Sequence, residues 1–116
     1  PDSLASLTSL VTLNIEENAM SGSLPQFLPS RVRYVSAGQN RFTGNLPDGW
    51  GTAPELRSLS LQQNNLTGPL PDYSWLYQLR TFDVSMNSLD DELTESSTVF
   101  PFASLRRLYL HQNKHL

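Results

Sequence analysis

The sequence predicts a repeat solenoid of the α/β class, in which each turn of the coil adds one strand to a parallel β-sheet. Three observations lead to this prediction. An asparagine recurs every 22 to 26 residues, apolar residues stand at the same three offsets before each of these asparagines, and a Gly and a Leu-Pro pair follow the first three of them. A period of this length indicates that one structural unit is repeated along the chain.

Five asparagines set the register of the units: Asn18, Asn40, Asn64, Asn87 and Asn113. The eighth, fifth and third positions before each one are always apolar. These positions are Leu10, Leu13, Ile15; Val32, Val35, Ala37; Leu56, Leu59, Leu61; Leu79, Phe82, Val84; and Leu105, Leu108, Leu110. The last two positions of each set alternate with polar neighbours, which predicts a short strand with one buried face. Such strands would stack about 4.8 Å apart.

The rest of each unit supplies the crossover that parallel strands require. We expect each asparagine amide to turn inward and satisfy backbone groups at the turn. Gly22, Gly44 and Gly68 would allow a left-handed or crowded backbone, and the following Pro would end the extended stretch. The crossovers should be irregular or contain short 3-10 or helical turns. We expect Trp50 and Trp75 to be buried at the back of the coil.

These motifs resemble the plant-type leucine-rich repeat, L-x-x-L-x-L-x-x-N-x-L-[ST]-G-x-[IL]-P, which residues 56–71 match throughout. The repeats are similar to those of receptor-like kinase ectodomains and polygalacturonase-inhibiting proteins. The resemblance implies a right-handed superhelix with its parallel sheet on the concave face. We expect a single domain over residues 1–116, with about five repeats, that is a fragment of a longer array without caps.

Composition argues against several classes of function. The net charge of −3 and the pI near 5.2 disfavour a nucleic-acid partner. No apolar run has the length of about 18–20 residues that a membrane span needs. Without cysteine there is no disulfide, thiolate metal site or cysteine nucleophile. We expect no enzyme activity, cofactor or metal site, since no catalytic motif is present and His111 and His115 lack a third ligand.

When the five units are aligned on their asparagines, an arginine stands at the seventh position before four of them. With Tyr34 and Tyr109, these arginines predict a ridge that binds anions or carboxylates. The alternative is an ordinary solvated rim whose long side chains cover their neighbours. The candidate ligand-binding residues are Arg33, Tyr34, Arg57, Arg80, Asp83, Arg107, Tyr109 and His111.

The resemblance implies a recognition module that binds a protein, peptide or glycan through its concave or lateral surface. The alternative is a structural or assembly subunit, or a spacer, within a larger extracellular complex. Packing against neighbouring repeats or subunits is expected at both ends. Asn65-Leu66-Thr67 is an N-glycosylation motif. The motif fits the location that the resemblance implies, which is extracellular or at the cell surface.

Overall fold

The computed structural model describes residues 6–90 and 104–113, which contain nine short strands and one well-defined 3-10 helix, Asp48–Thr52. His115 lies outside the described residues. The strands in chain order are β1 (Thr12–Asn14), β2 (Ser21–Ser23), β3 (Tyr34–Ser36), β4 (Arg41–Gly44), β5 (Ser58–Ser60), β6 (Asn65–Gly68), β7 (Thr81–Asp83), β8 (Ser88–Leu89) and β9 (Arg107–Tyr109).

The odd-numbered strands form the predicted parallel sheet, here called the first sheet, in the order β1-β3-β5-β7-β9. Its register is the one that the asparagine alignment predicts. Leu13 pairs with Val35, Val35 with Leu59, Leu59 with Phe82, and Phe82 with Leu108. The four connections between these strands are four turns of a coil, which confirms the repeat solenoid.

The even-numbered strands form a second parallel sheet, in the order β2-β4-β6-β8, which the sequence analysis did not predict. Each of these strands follows a repeat asparagine by one to three residues. The backbone groups of this stretch need partners once the chain leaves the first sheet, and the same stretch of the next turn supplies them. Gly22, Gly44 and Gly68 have φ of 81° to 88°, so the predicted left-handed glycines are confirmed. The crossovers of the described residues contain no α-helix.

The core is formed by inward side chains of the two sheets and of the crossovers. The middle residues of the three central strands of the first sheet, Val35, Leu59 and Phe82, are at most 2% exposed. Leu66 of β6 meets them from the second sheet and is also fully buried. Because each turn is only one strand thick, no turn can bury these side chains without its neighbours.

The repeat asparagines join successive turns, as predicted. Asn64 is buried, and its Nδ2 donates to the carbonyl of Leu61 in its own turn at 3.0 Å and to that of Ala37 in the preceding turn at 3.1 Å. Its Oδ1 accepts from the N–H of Phe42 in β4 at 3.1 Å. The same three kinds of bond recur at Asn40, Asn87 and Asn113. The asparagines therefore form a continuous hydrogen-bonded ladder.

The prediction for the two tryptophans is right for Trp50 and wrong for Trp75. Trp50 is buried and its Nε1–H donates to the carbonyl of Pro25 at 2.8 Å. In the next turn Tyr73 occupies the equivalent place, where its hydroxyl donates to the carbonyl of Pro47 at 2.7 Å, and Trp75 is 67% exposed. The turn of Tyr73 has one residue fewer between the Leu-Pro pair and the buried aromatic ring, so alignment by sequence offset selected the wrong aromatic residue.

Candidate recognition surface

The first sheet has one face that the core does not use. In β3, β5 and β7 the middle residue is buried, and the residues on either side of it are half-buried or exposed. Strand alternation therefore directs the flanking side chains away from the core, to what we call the outward face. Tyr34 and Tyr109 lie on this face and are 42% and 41% exposed.

The predicted ligand-binding residues on this face fall into two groups. Asp83 and Tyr109 are direct partners on β7 and β9, Arg107 begins β9, and His111 follows it. These four residues lie on the last two strands or directly after them. Tyr34, on β3, is three strands from Arg107, a separation of about 14 Å at ordinary strand spacing.

Asp83 is held in place by the turn that follows its strand. Its Oδ1 accepts hydrogen bonds from the N–H of Ser85 at 3.0 Å and from the Ser85 hydroxyl at 2.6 Å. Asp72 and Ser74 make the same pair of bonds at 3.0 and 2.5 Å, and the two bonds lower the pKa of Asp72. The Asp83 carboxylate thus presents a fixed orientation beside Tyr109.

The four arginines form a column at the edge where the chain enters the first sheet. The N–H of Arg57 donates to the carbonyl of Arg33, that of Arg80 to Arg57, and that of Arg106 to Arg80, each at 2.8 Å. We call Arg33, Arg57, Arg80 and Arg106 the arginine column. Arg33 makes an ion pair with Glu55 at 3.3 Å, with both side chains more than a third exposed. Such a pair contributes at most about 1 kcal/mol.

The sequence analysis placed Arg106 in the arginine ridge but not among the candidate ligand-binding residues. In the structure Arg106 lines a hollow of about 260 Å³ together with Arg57 and Arg80. Its position in the alignment, seven residues before Asn113, could have added it to that list. Arg33 is not among the residues that line this hollow.

A second feature that the sequence did not reveal is a left-handed residue immediately before every repeat asparagine. These residues have φ between 56° and 58°, and they are Glu17, Gln39, Gln63, Met86 and Gln112. Side chains other than glycine rarely adopt this conformation. The asparagine amide bridges the carbonyls two and three residues before it, as at Asn64, and so closes the turn around the left-handed residue.

One long side-chain contact crosses the end of the first sheet. Gln62 Nε2 donates to Glu16 Oε1 at 2.9 Å, passing over the strand end at Gly38. A Cβ at Gly38 would come within 2.6 Å of Gln62 Cδ, so the missing side chain leaves the room that this contact needs. The Glu16 carboxylate is therefore hydrogen-bonded to Gln62, and this contact lies at the end of the sheet opposite to His111.

Stacked parallel strands, a ladder of hydrogen-bonded asparagines and a left-handed residue before each asparagine give a solenoid that matches the leucine-rich-repeat fold. Residues 55–75 match the sequence model of the family described as Leucine Rich Repeat. The predicted resemblance to this repeat class is thereby confirmed.

Known proteins similar to this chain include plant receptors. The chain is 35% identical over 60 residues to Protein STRUBBELIG-RECEPTOR FAMILY 3 of Arabidopsis thaliana, a match that covers 52% of this chain and 8% of that protein. The Arabidopsis receptor kinase HAESA, solved with the peptide hormone IDA and the co-receptor SERK1, superimposes with a TM-score of 0.88 and 26% identity, over 97% of this chain and 19% of the receptor chain. A TDR receptor gives a TM-score of 0.88 and 34% identity, over 99% and 20%. The chain thus spans a fifth or less of the length of these three proteins.

Two further features concern metals and membranes. Within residues 6–90 and 104–113, no three His, Asp or Glu side chains come together as metal ligands. No helix in that part of the chain is both long and apolar enough to cross a bilayer.

Proposed function

We propose that the protein is a recognition module that binds a protein or peptide ligand through the outward face of the first sheet and the adjoining arginine column. The observation that carries the proposal is that side chains on the two faces of each strand have different surroundings. The inward side chains build the core, whereas the outward ones include exposed tyrosines, an arginine and a histidine that are not part of the core. Tyrosine and arginine are the residue types that contribute most at protein interfaces.

The predicted residues take distinct roles in this proposal. Tyr34 and Tyr109 supply flat apolar area with a hydroxyl at the tip, which suits a peptide that is partly apolar. Arg107 and His111 place cationic or hydrogen-bonding groups beside the fixed carboxylate of Asp83. Arg33, Arg57 and Arg80 offer guanidinium forks at the sheet edge. The HAESA complex supports the choice of ligand class, because a similar solenoid there is bound to a peptide hormone and a co-receptor.

Selection from a displayed random-peptide library tests this proposal. Selected peptides should lose about tenfold or more in affinity when Tyr109→Ala or Arg107→Ala is introduced, since truncation of an interface anchor costs more than about 1.4 kcal/mol. Thr43→Ala, an exposed change on the second sheet, is the control and should leave affinity unchanged. Peptides that depend on Thr43 and not on Tyr109 would contradict the proposal, as would a library without binders.

We propose further that the protein is extracellular or at the cell surface and is glycosylated at Asn65. Asn65 and Thr67 of β6 are exposed on either side of the buried Leu66, so the amide and the hydroxyl of the motif share the solvent side of the second sheet. A glycan there would leave the first sheet open to ligand. The curated relative is a receptor-family protein, which is consistent with this location.

Mass spectrometry after secretion from a eukaryotic host tests the modification. The peptide containing Asn65 should carry a glycan, and Thr67→Ala should abolish it while leaving Asn65 in place. An unmodified Asn65 in secreted, folded protein would contradict the proposal.

A further inference from the structure

Two large aromatic side chains are left exposed beside the arginine column. Trp75 and Tyr77 precede β7, and each is 67% exposed. Their rings meet edge to face with centroids 5.8 Å apart, and the N–H of Tyr77 donates to the carbonyl of Trp75 at 2.9 Å. The core does not require them, because Tyr73 and Leu76 of the same crossover are the buried residues. Exposed aromatic pairs of this kind are enriched at protein interfaces.

Tyr77 links this aromatic pair to three arginines. It lines the hollow of about 260 Å³ whose walls also include Arg57, Arg80 and Arg106. These arginines belong to three successive turns of the coil. The backbones of neighbouring arginines are therefore about 4.8 Å apart. The other lining residues, Gln78, Ser104 and Leu105, carry no charge.

Comparison of successive turns shows that, among the described residues, the arginines of this hollow lack the carboxylate partner that Arg33 has. Arg33 is neutralised by Glu55, which belongs to the next turn and lies two positions before Arg57. The residues at the position of Glu55 in the following two turns are Gln78 and Ser104, which are neutral. In the described part of the chain, no carboxylate forms an ion pair with Arg57, Arg80 or Arg106.

We propose that Arg57, Trp75, Tyr77, Arg80 and Arg106, here called the edge patch, bind an acidic segment of a protein partner. Guanidinium forks pair with carboxylates in the fork-to-fork geometry that makes such bonds strong. Trp75 supplies apolar contact area next to them, and tryptophan, tyrosine and arginine are the dominant residues of interface hot spots. This inference rests on the proposed recognition function and specifies the chemistry of the partner.

The charge of the whole chain favours a protein partner over a nucleic acid. The net charge of −3 means that the edge patch is a local positive region on an acidic protein. A nucleic acid extends far beyond such a patch and would meet the surrounding negative field, whereas a short acidic segment meets only the arginines.

A blocked peptide of alternating Glu and Gly with one central Phe tests the inference, with its Gln counterpart as the uncharged probe. Acrylamide quenching of Trp75 fluorescence reports binding, because Trp50 is buried, and Trp75→Phe confirms which signal is observed. The Glu peptide should protect Trp75 and the Gln peptide should not. Arg80→Glu should weaken binding by about tenfold or more.

Arg41→Glu is the matched control, because Arg41 is exposed on the second sheet and the substitution changes the net charge by the same amount. It should leave affinity within about twofold, since exposed charges beyond a Debye length are largely screened. Equal losses from Arg41→Glu and Arg80→Glu would overturn the edge patch. Displacement of the peptide by an equally charged RNA oligonucleotide would overturn the choice of a protein partner.

The outcomes separate this inference from the proposed function. If library peptides bind and depend on Tyr109 but the Glu peptide shows no preference over the Gln peptide, the edge patch alone is wrong. If no library peptide depends on the outward face or on the arginine column, the proposed function is wrong.

Discussion

Replacing Asn64 by alanine should destabilise the fold by about 1.5–4.5 kcal/mol. The carbonyls that Asn64 contacts keep other donors, because Asn40 Nδ2 also reaches Ala37 O at 3.2 Å and Asn87 Nδ2 also reaches Leu61 O at 3.0 Å. The N–H of Phe42, buried between turns, loses the acceptor that Asn64 Oδ1 provides. An unsatisfied buried donor costs about 1–3 kcal/mol, and the lost amide bonds add about 0.5–1.5 kcal/mol.

Urea unfolding followed by far-ultraviolet circular dichroism measures this loss, with Asn18→Ala as the control. Asn18 is exposed, and within the described residues its amide donates only to carbonyls of its own turn, Ile15 at 3.0 Å and Glu16 at 3.1 Å. Its removal should cost less than about 1 kcal/mol, the net contribution of a typical exposed hydrogen bond. Equal losses for the two variants would refute the reasoning, because the asparagines would then act within single turns and not between them.

Other substitutions test the packing of the coil. Leu59→Ala should cost about 2–5 kcal/mol as a cavity in a fully buried strand position, and Ser60→Ala less than about 0.5 kcal/mol, in the same urea assay. Gly22→Ala and Gly68→Ala should each lose about 1–2 kcal/mol to left-handed backbone strain. Calorimetry should show the larger loss at Gly68, where a new methyl group meets an asparagine side chain, than at Gly22, where it meets open space. Burial raises the pKa of Tyr73 above its ordinary value near 10, so its stabilising contribution is complete below pH 10 and decreases above it. Tyr73→Phe should lessen this alkaline loss in a pH series of melting temperatures, and an unchanged series would contradict the assignment.

The repeat pattern was sufficient to predict the first sheet because its signal is the same in every unit. The middle residue of each strand is apolar because it faces the core side of the sheet. The sheet pairs these residues in the predicted register: Leu13, Val35, Leu59, Phe82 and Leu108. The second sheet has a weaker signal. Its strands bond through their backbones, and although β4, β6 and β8 each have one buried apolar residue, Ser21–Ser23 carries only small, exposed side chains.

The prediction of the site from the sequence was limited in a similar way. Sequence columns placed the four arginines side by side, but the ion pair of Arg33 depends on the neighbouring turn. The position of Glu55 is taken by Gln78 and Ser104 in the two turns that follow. The exposure of Trp75 depends on a one-residue difference in crossover length, which moved Tyr73 into the buried place. Contacts between turns decide both features, and a single repeat does not encode them.

The most direct test of the account is a two-dimensional ¹H–¹⁵N NMR titration of the protein with the Glu-containing peptide. The indole N–H signal of Trp75 and the backbone signals of Arg57 and Arg80 should move. The indole signal of Trp50, hydrogen-bonded inside the coil, and the backbone signals of β4 should stay in place. Shifts confined to the second sheet, or a moving Trp50 indole with a fixed Trp75 indole, would contradict a coil that is stabilised from within and recognises its partner at the edge of the first sheet.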